Sequence, residues 1–209
     1  VVKLVRSVKF QTGVYPYSLE TCVYSPVDRW PGERFDPVKV TFSAQEWCGH
    51  VFHALWPGRE GALELLVSYF AEAGQRFAPA PALAGALYED ALWIQLRELD
   101  GPFAEGGPWK GPIVPSLWSH RTSHGPARAV EASISREAVE GGTRFTIRYE
   151  DVVRTIDVES GPERRILGWT GPGGESGRLL GSARLAYWEL HRAGDEARRR
   201  EFGLVPESR

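Results

Sequence analysis

Hydrophobic and polar residues alternate along much of the chain with a period of two, which is typical of half-buried β-strands. The clearest example is Val38 to Ala44, where every second residue is apolar and the residues between them are Lys, Thr and Ser. The same pattern predicts strands over Val2 to Phe10, Thr21 to Tyr24 and Val51 to Trp56. Between the first two of these, Tyr15–Pro16–Tyr17 predicts a stiff aromatic bend.

A strand is also predicted over Gly61 to Phe70, and the period then changes to that of a helix. In the strand, the residues expected to face inward are Leu63, Leu65, Val67 and Tyr69. From Pro81 to Leu99, leucines recur at helical spacing, acidic residues come first and Gly101–Pro102 follows. This order suits the helix dipole and a helix stop, so we predict one central helix over Pro81 to Leu99.

The C-terminal half has the pattern of a β-meander. Short β-type runs are separated by turn residues, and the predicted strands are Arg128 to Val139, Arg144 to Tyr149, Val152 to Glu159, Arg164 to Thr170 and Leu179 to Leu190. A charged closing helix is predicted over Gly194 to Phe202. The fold class is therefore mainly β (α+β). We predict a strongly curved antiparallel sheet or open barrel in a single domain over 1–209, with Leu92 and Leu96 packed on one concave sheet face.

Residues 101–126 contain ten Gly or Pro residues together with Trp109 and Trp118. A loop of this length in a compact domain is usually functional or disordered. Its two tryptophans favour order against another surface, because each buries a large apolar area wherever it packs. We therefore interpret 101–126 as one long ordered loop and a candidate contact surface, with Arg121 and His124 at its rim.

Composition narrows the classes of partner. The formal net charge of −2 provides no positive field for nucleic acid. Apolar runs fall short of the roughly 18 residues that a membrane-spanning helix needs.

The chain begins at Val1 and contains no Met, so we expect an N-terminally truncated or processed product. Cys22 and Cys48 form either one disulfide or two free thiols, and the sequence leaves both alternatives open.

The densest polar cluster surrounds Cys48. If the strand from Val38 continues without a break, Glu46, Cys48 and His50 lie on one face, and a thiol with a His and a carboxylate is suited to nucleophilic chemistry. The alternative is a hairpin turn at Cys48–Gly49 whose polar groups satisfy the local backbone. We favour the turn, with Cys48 buried or tightly held and not a reactive thiolate, and thus a role that is not enzymatic.

Four of the five histidines lie in two short stretches, and with Cys48 they raise the question of a zinc site. His50 and His53 differ in strand parity, so one strand cannot direct both to one ion. His120 and His124 have no flanking cysteines. We therefore predict no metal and no cofactor.

Several short motifs resemble those of an uncharacterised family of exported bacterial proteins and lipoproteins, best represented in Bacteroidetes. The motifs are Thr12–Gly13–Val14–Tyr15–Pro16–Tyr17–Ser18, Ser43–Ala44–Gln45–Glu46–Trp47–Cys48–Gly49–His50, Ser68–Tyr69–Phe70, Glu89–Asp90 with Leu92–Trp93, and Pro115–Ser116 with Arg121–Thr122–Ser123–His124. The resemblance covers about residues 3–125. It implies an extracytoplasmic location, with a lipid anchor on an N-terminal part that precedes this chain, but no activity. Cys22 does not belong to these motifs.

Three hypotheses about function follow. The first is an interaction or scaffold module, such as an accessory subunit docked on another protein or on a membrane-bound complex. Its candidate binding residues are Tyr15, Tyr17, Trp109, Trp118, Arg121 and His124, because Trp, Tyr and Arg anchor interfaces. The second is a carrier of an apolar small molecule between the sheet and the helix. The third is a hydrolase or transferase that uses Glu46, Cys48 and His50.

Overall fold

The computed structural model describes residues 1–27, 35–70, 75–97, 103, 107–119 and 125–203. The described residues contain thirteen strands in two sheets. The strands are β1 (Val2–Thr12), β2 (Tyr15–Ser25), β3 (Lys39–Gln45), β4 (His50–Gly58), β5 (Gly61–Ser68), β6 (Gln75–Ala80), β7 (Leu87–Tyr88), β8 (Trp109–Val114), β9 (Val130–Val139), β10 (Gly142–Tyr149), β11 (Val152–Glu159), β12 (Ile166–Thr170) and β13 (Ser176–Arg178). The mainly β class is confirmed.

The helical segments are short. The described residues contain one α-helix, α1 (Glu89–Gln95), and their 3-10 helices are Pro81–Leu83, Leu117–Ser119, Pro172–Gly174, Tyr187–Glu189 and Asp195–Phe202. The central helix is confirmed, but it is shorter than predicted. It begins at Glu89, after the 3-10 helix Pro81–Leu83 and β7, and ends at Gln95. The closing helix is present in 3-10 form. No helix among the described residues is both long and apolar enough to cross a membrane.

The first sheet is an antiparallel meander in the order β1-β2-β3-β4-β5-β6. The alternation predicted for Val38 to Ala44 is confirmed in β3, where Val40, Phe42 and Ala44 are buried. β2 is much longer than predicted. Tyr15–Pro16–Tyr17 is its first part rather than a bend, and Gly13, with φ of 58°, makes the turn before it. Pro16 is tolerated there because it pairs only with β1, beyond the end of β3.

The second sheet has the order β13-β12-β11-β10-β9-β8-β7 and is antiparallel except for the parallel pair β7–β8. The prediction of a single sheet is therefore wrong, because the chain changes sheets after β6. Each sheet has two edge strands, so neither closes into a barrel among the described strands. The predicted strand Leu179 to Leu190 is also wrong. Apart from a 3-10 turn at Tyr187–Glu189, that segment has no regular structure and is largely exposed.

Two hydrophobic cores lie against the two sheets, and α1 contributes to both. Ala91 and Ile94 pack into the core of the first sheet, whereas Leu92, Trp93 and Leu96 pack into that of the second. All residues of α1 are buried. Leu92 and Leu96 are thus in the core, as predicted, but against the second sheet. The helix therefore holds the two sheets together through its opposite sides.

The segment 101–126 is not one long loop. It contains β8, which pairs with β7 and β9, and the 3-10 helix Leu117–Ser119. The Gly and Pro residues of this segment favoured the prediction of a loop, but Gly111 and Pro112 lie within β8 and pair with β9. β8 has one neighbour in parallel and one in antiparallel orientation, a pairing that a local pattern cannot reveal.

The inward face predicted for Gly61 to Phe70 is also wrong. In β5 the buried residues are Ala62, Glu64 and Leu66, whereas Leu63 is exposed. The prediction followed the longer run of apolar residues. The opposite parity prevails because the carboxylate of Glu64 has hydrogen-bond partners on neighbouring elements, among them the buried His53.

Candidate functional site

Three of the sequence motifs meet at one end of the first sheet. The register places Thr12 opposite Tyr15 across the β1–β2 hairpin and Ser18 opposite Gln45 between β2 and β3. On the next strands, Val51 lies opposite Ser68. Segments 12–18, 43–50 and 68–70 are far apart in sequence but are therefore neighbours in space.

Aromatic rings cover this end of the sheet. Phe10 stacks on Tyr17 with ring centroids 5.1 Å apart and an interplanar angle of 3°. Tyr15 contacts Trp47 at 5.5 Å, and Tyr69 contacts Phe70 at 4.2 Å. We call the set the aromatic end; its members are Phe10, Tyr15, Tyr17, Trp47, Tyr69 and Phe70.

Much of the aromatic end is open to solvent. Trp47 is 64% exposed and Tyr15 is 43% exposed. Phe10 and Phe70 are each 37% exposed, and the aliphatic Val14 at the hairpin tip is 74% exposed. Tyr17 and Tyr69 are half-buried and pack against the core of the first sheet, so they fix the cluster to the body of the protein.

The predicted polar cluster lies in the hairpin turn within the aromatic end. The Glu46 N–H donates to the carbonyl of Gly49 at 2.9 Å, which closes the turn, and Cys48 is exposed within it. Tyr69 donates its hydroxyl to Glu46 Oε2 at 3.0 Å. Burial and this hydrogen bond raise the pKa of Tyr69 to about 12. A side chain at position 49 would collide with Tyr69, so this position requires glycine.

This geometry does not assemble a nucleophilic site. Within the described residues, no hydrogen bond joins Cys48 to His50 or to Glu46, whose carboxylate instead accepts from Tyr69. Cys48 lies in a tight turn, one of the two settings predicted for it, and both cysteines are free thiols. Cys22 is buried, and its burial raises the pKa of its thiol.

The two thiols should differ sharply in reactivity. We expect a maleimide to modify Cys48 of the folded protein at the rate of an unstructured peptide cysteine, because it is exposed and nothing in the turn activates it. Cys22 should react only after unfolding. Peptide mapping after timed labelling at neutral pH checks both rates. A Cys48 rate tenfold or more above the peptide control would revive the nucleophile hypothesis.

Trp109 and Trp118 lie elsewhere and pack mainly against their own chain. Trp109 is in β8 and contacts Phe103 edge-on at 6.3 Å. Trp118 lies over Phe42 at 6.0 Å and packs on the core of the first sheet. Both are half-buried. The other two predicted rim residues, Arg121 and His124, lie outside the described residues.

Glu89, Asp90 and Ser116, which belong to the two remaining motifs, form a buried clasp. Glu89 Oε2 accepts from the Ser116 N–H at 2.8 Å and from the Tyr149 hydroxyl at 2.7 Å. Asp90 accepts from the Ser116 hydroxyl at 2.6 Å and from the Leu117 N–H at 2.9 Å. Burial raises the pKa of Asp90, although the hydrogen bond from Ser116 opposes it. The two acids thus fix the segment after β8 to the start of α1.

One acid of this clasp, Glu89, forms an ion pair with Arg154. Arg154 Nε lies 2.6 Å from Glu89 Oε1, with side-chain exposures of only 6% and 1%. Its Nη1 lies 3.2 Å from Glu175, which is also 3.8 Å from Arg6. The Arg6 guanidinium in turn lies over the ring of Trp93 at 3.9 Å. Because the carboxylate oxygens of Glu89 and Asp90 already accept bonds within the chain, we assign the clasp a structural role.

A second buried charge network lies inside the first sheet. Glu64 and His53 are both fully buried, and Glu64 Oε1 lies 2.9 Å from His53 Nε2. The same carboxylate accepts from the Ala127 N–H at 2.6 Å and from Arg76 Nε at 3.0 Å. Burial raises the pKa of Glu64, but these hydrogen bonds together outweigh it and hold the pKa below its usual value. In the described part of the chain, no group of three or more His, Cys, Asp or Glu could hold a metal ion.

The candidate binding residues predicted from the sequence include Tyr15 and Tyr17 of the aromatic end but not Trp47, Phe10 and Phe70. Trp47 could have been included, because it lies in the same motif as Cys48 and His50. The sequence prediction also lacks the Glu64 network, whose members come from β4, β5, β6 and the segment before β9.

No protein-family model matches the sequence, and comparison with curated proteins finds no significant relative. Among solved structures, the chain is similar to a DUF1089 family protein from Pseudomonas aeruginosa. The TM-score is 0.45 at 11% sequence identity, over 83% of this chain and 90% of the other. A likeness of this strength supports no argument about function.

Proposed function

We propose that this chain is an interaction module that docks on another protein through its aromatic end. The observation that carries the proposal is the convergence of three separate motifs on one exposed aromatic surface. The resemblance to exported proteins supports a location in the cell envelope, and the proposed partner is accordingly a subunit of a membrane-bound or envelope complex.

The composition of the aromatic end supports docking. Protein interfaces are enriched in aromatic residues at their centre and depleted in charge there. Trp47 lies in a closed hairpin turn and Tyr15 in a paired strand, so the backbone that carries both side chains is already ordered and loses little entropy on binding. Hot spots of this kind usually consist of a few Trp, Tyr or Arg side chains.

The carrier hypothesis receives less support. Trp109 lines a cavity of about 90 Å³ with Phe103, Ile134 and Phe145, and Tyr88 lines another of about 120 Å³. Pockets for drug-sized ligands measure roughly 300–1,000 Å³. A depression of about 560 Å³ beside Trp56 and Leu63 is wide open to solvent rather than enclosed between sheet and helix.

The test compares exposed tryptophans in two places. Trp47→Ala should reduce recovery of the partner complex tenfold or more from cells of the source organism, and Tyr15→Ala should reduce it to a similar degree. Trp188→Ala is the matched control, because Trp188 is 66% exposed but lies in the C-terminal segment. The amount of partner recovered is measured by quantitative affinity purification. Each variant is compared only if its thermal unfolding midpoint equals that of the parent chain.

Equal recovery by Trp47→Ala, Trp188→Ala and the parent chain would contradict the proposal. So would loss of recovery that tracks loss of thermal stability, because the aromatic end would then be a structural element rather than a docking surface.

A further inference from the structure

The edge strands of the two sheets differ in how well they are protected. In the second sheet the edges are β13 and β7, which are three and two residues long. In the first sheet, β6 is six residues long and contains Pro79. Short strands, proline and charged side chains, lysine above all, are the usual means of blocking an exposed sheet edge. The fourth edge strand, β1, has eleven residues and no proline.

β1 is also regular along its whole length. Its register with β2 runs through eleven residue pairs without a shift, so no β-bulge turns the edge away. Its first half is held to the body through Arg6, which contacts Trp93 and Glu175. From Ser7 to Thr12 every residue is exposed. Within the described chain, β1 is hydrogen-bonded as a strand on one side only, to β2.

The charged side chains of β1 favour pairing with an acidic strand over a basic one. The strand carries Lys3, Arg6 and Lys9 and no acidic residue. Arg6 is partly neutralised by Glu175, which leaves the two lysines. Glu20 faces the same side of the sheet as the two lysines but lies on β2. A strand added to β1 would be about 10 Å from Glu20, which is twice the spacing between strands.

A second copy of β1 is a poor partner for this edge. Antiparallel pairing of two copies would place six cationic side chains along one seam, and one register would set Arg6 opposite Arg6. Like charges directly opposite each other destabilise a strand pair, whereas opposite charges stabilise it. The cationic side chains therefore disfavour pairing of two copies and favour pairing with an acidic strand.

We propose that an extended acidic segment of a partner protein adds to the free edge of β1 along Ser7–Thr12. Main-chain hydrogen bonds would supply affinity and alternate side chains specificity. One face of the added strand would lie beside Val8 and Phe10, continuous with the aromatic end, and would be apolar. The other face would lie beside Lys9 and carry Glu or Asp. The inference rests on the proposed function and names the chemistry of its partner.

The probe is a fluorescein-labelled nine-residue peptide that alternates Glu with Val and Phe, compared with the same peptide carrying Lys for Glu. We expect the acidic peptide to bind at least tenfold more tightly by fluorescence anisotropy. Amide exchange measured by NMR should slow at alternate residues of Ser7–Thr12. Lys9→Glu should weaken the acidic peptide tenfold or more, whereas Lys110→Glu, the same charge change on β8, should leave its affinity unchanged.

Equal binding of the two peptides, no binding of either, or protection away from β1 would overturn the inference. Protection of β1 at high protein concentration without peptide would also overturn it, in favour of a second copy. Failure here is distinguishable from failure of the docking proposal. If Trp47→Ala abolishes recovery of the partner while Lys9→Glu leaves it unchanged, the aromatic end docks a partner without strand addition.

Discussion

Replacing Arg154 by Ala is expected to lower the free energy of unfolding by about 3–5 kcal/mol, because it leaves a buried carboxylate without its counterion. Glu89 is 1% exposed and lies beside Asp90, which is also buried. Both acids would then share a site from which water is largely excluded. Urea unfolding monitored by tryptophan fluorescence measures the change, with the slope checked for two-state behaviour.

A matched control is available on the adjacent strand. Arg144 on β10 forms a bidentate pair with Asp157, and its side chain is 40% exposed. Arg144→Ala should shift the unfolding midpoint far less, since exposed ion pairs contribute little to stability. In a chain that carries Arg154→Met, adding Glu89→Gln should restore part of the lost free energy of unfolding, because it removes the unpaired charge of the carboxylate. Equal effects of Arg154→Ala and Arg144→Ala would contradict the structural role of the clasp.

The second large effect is expected at Glu64. Glu64→Ala should cost roughly 3 kcal/mol or more, because the buried His53 ring and the Ala127 N–H each lose an acceptor, in addition to the cavity that forms. Glu64→Gln retains one oxygen and should cost less. Glu60→Ala in the exposed turn before β5 is the control, with little change expected.

The Glu64 contribution should also depend on pH. Because the folded pKa lies below the usual value near 4.5, the carboxylate stabilises the fold above that pH. The contribution is lost as the pH falls through the folded pKa. The difference in unfolding free energy between the parent chain and Glu64→Gln should therefore shrink from pH 6 toward pH 3. A difference that grows on acidification would mean that the carboxyl group is buried in its protonated form.

The sequence predicts well where a local pattern decides the structure. The alternation in Val38 to Ala44 identifies β3, since one of its faces is fully buried. Acidic residues at the start of α1 and the buried Leu92 within it agree with the predicted helix. The hairpin turn predicted at Cys48–Gly49 is also present, and it is closed by the hydrogen bond from the Glu46 N–H to the Gly49 carbonyl.

Prediction fails where distant residues decide. The parity of β5 is set by His53, Arg76 and Ala127, which a local window does not contain. The aromatic end depends on the register of five strands, so its rings could not be grouped from the sequence alone. Leu179 to Leu190 has a strand-like pattern but no neighbouring strand over most of its length, and therefore remains irregular.

Hydrogen–deuterium exchange on the purified complex would show whether the partner binds at the aromatic end. Comparison of complex and free chain should show slower exchange in 8–18 and 45–50, with no change in the exposed segment 179–190. That pattern would place the partner on the surface that the three motifs build. Protection confined to the second sheet or to 179–190, with 8–18 and 45–50 unchanged, would contradict the account.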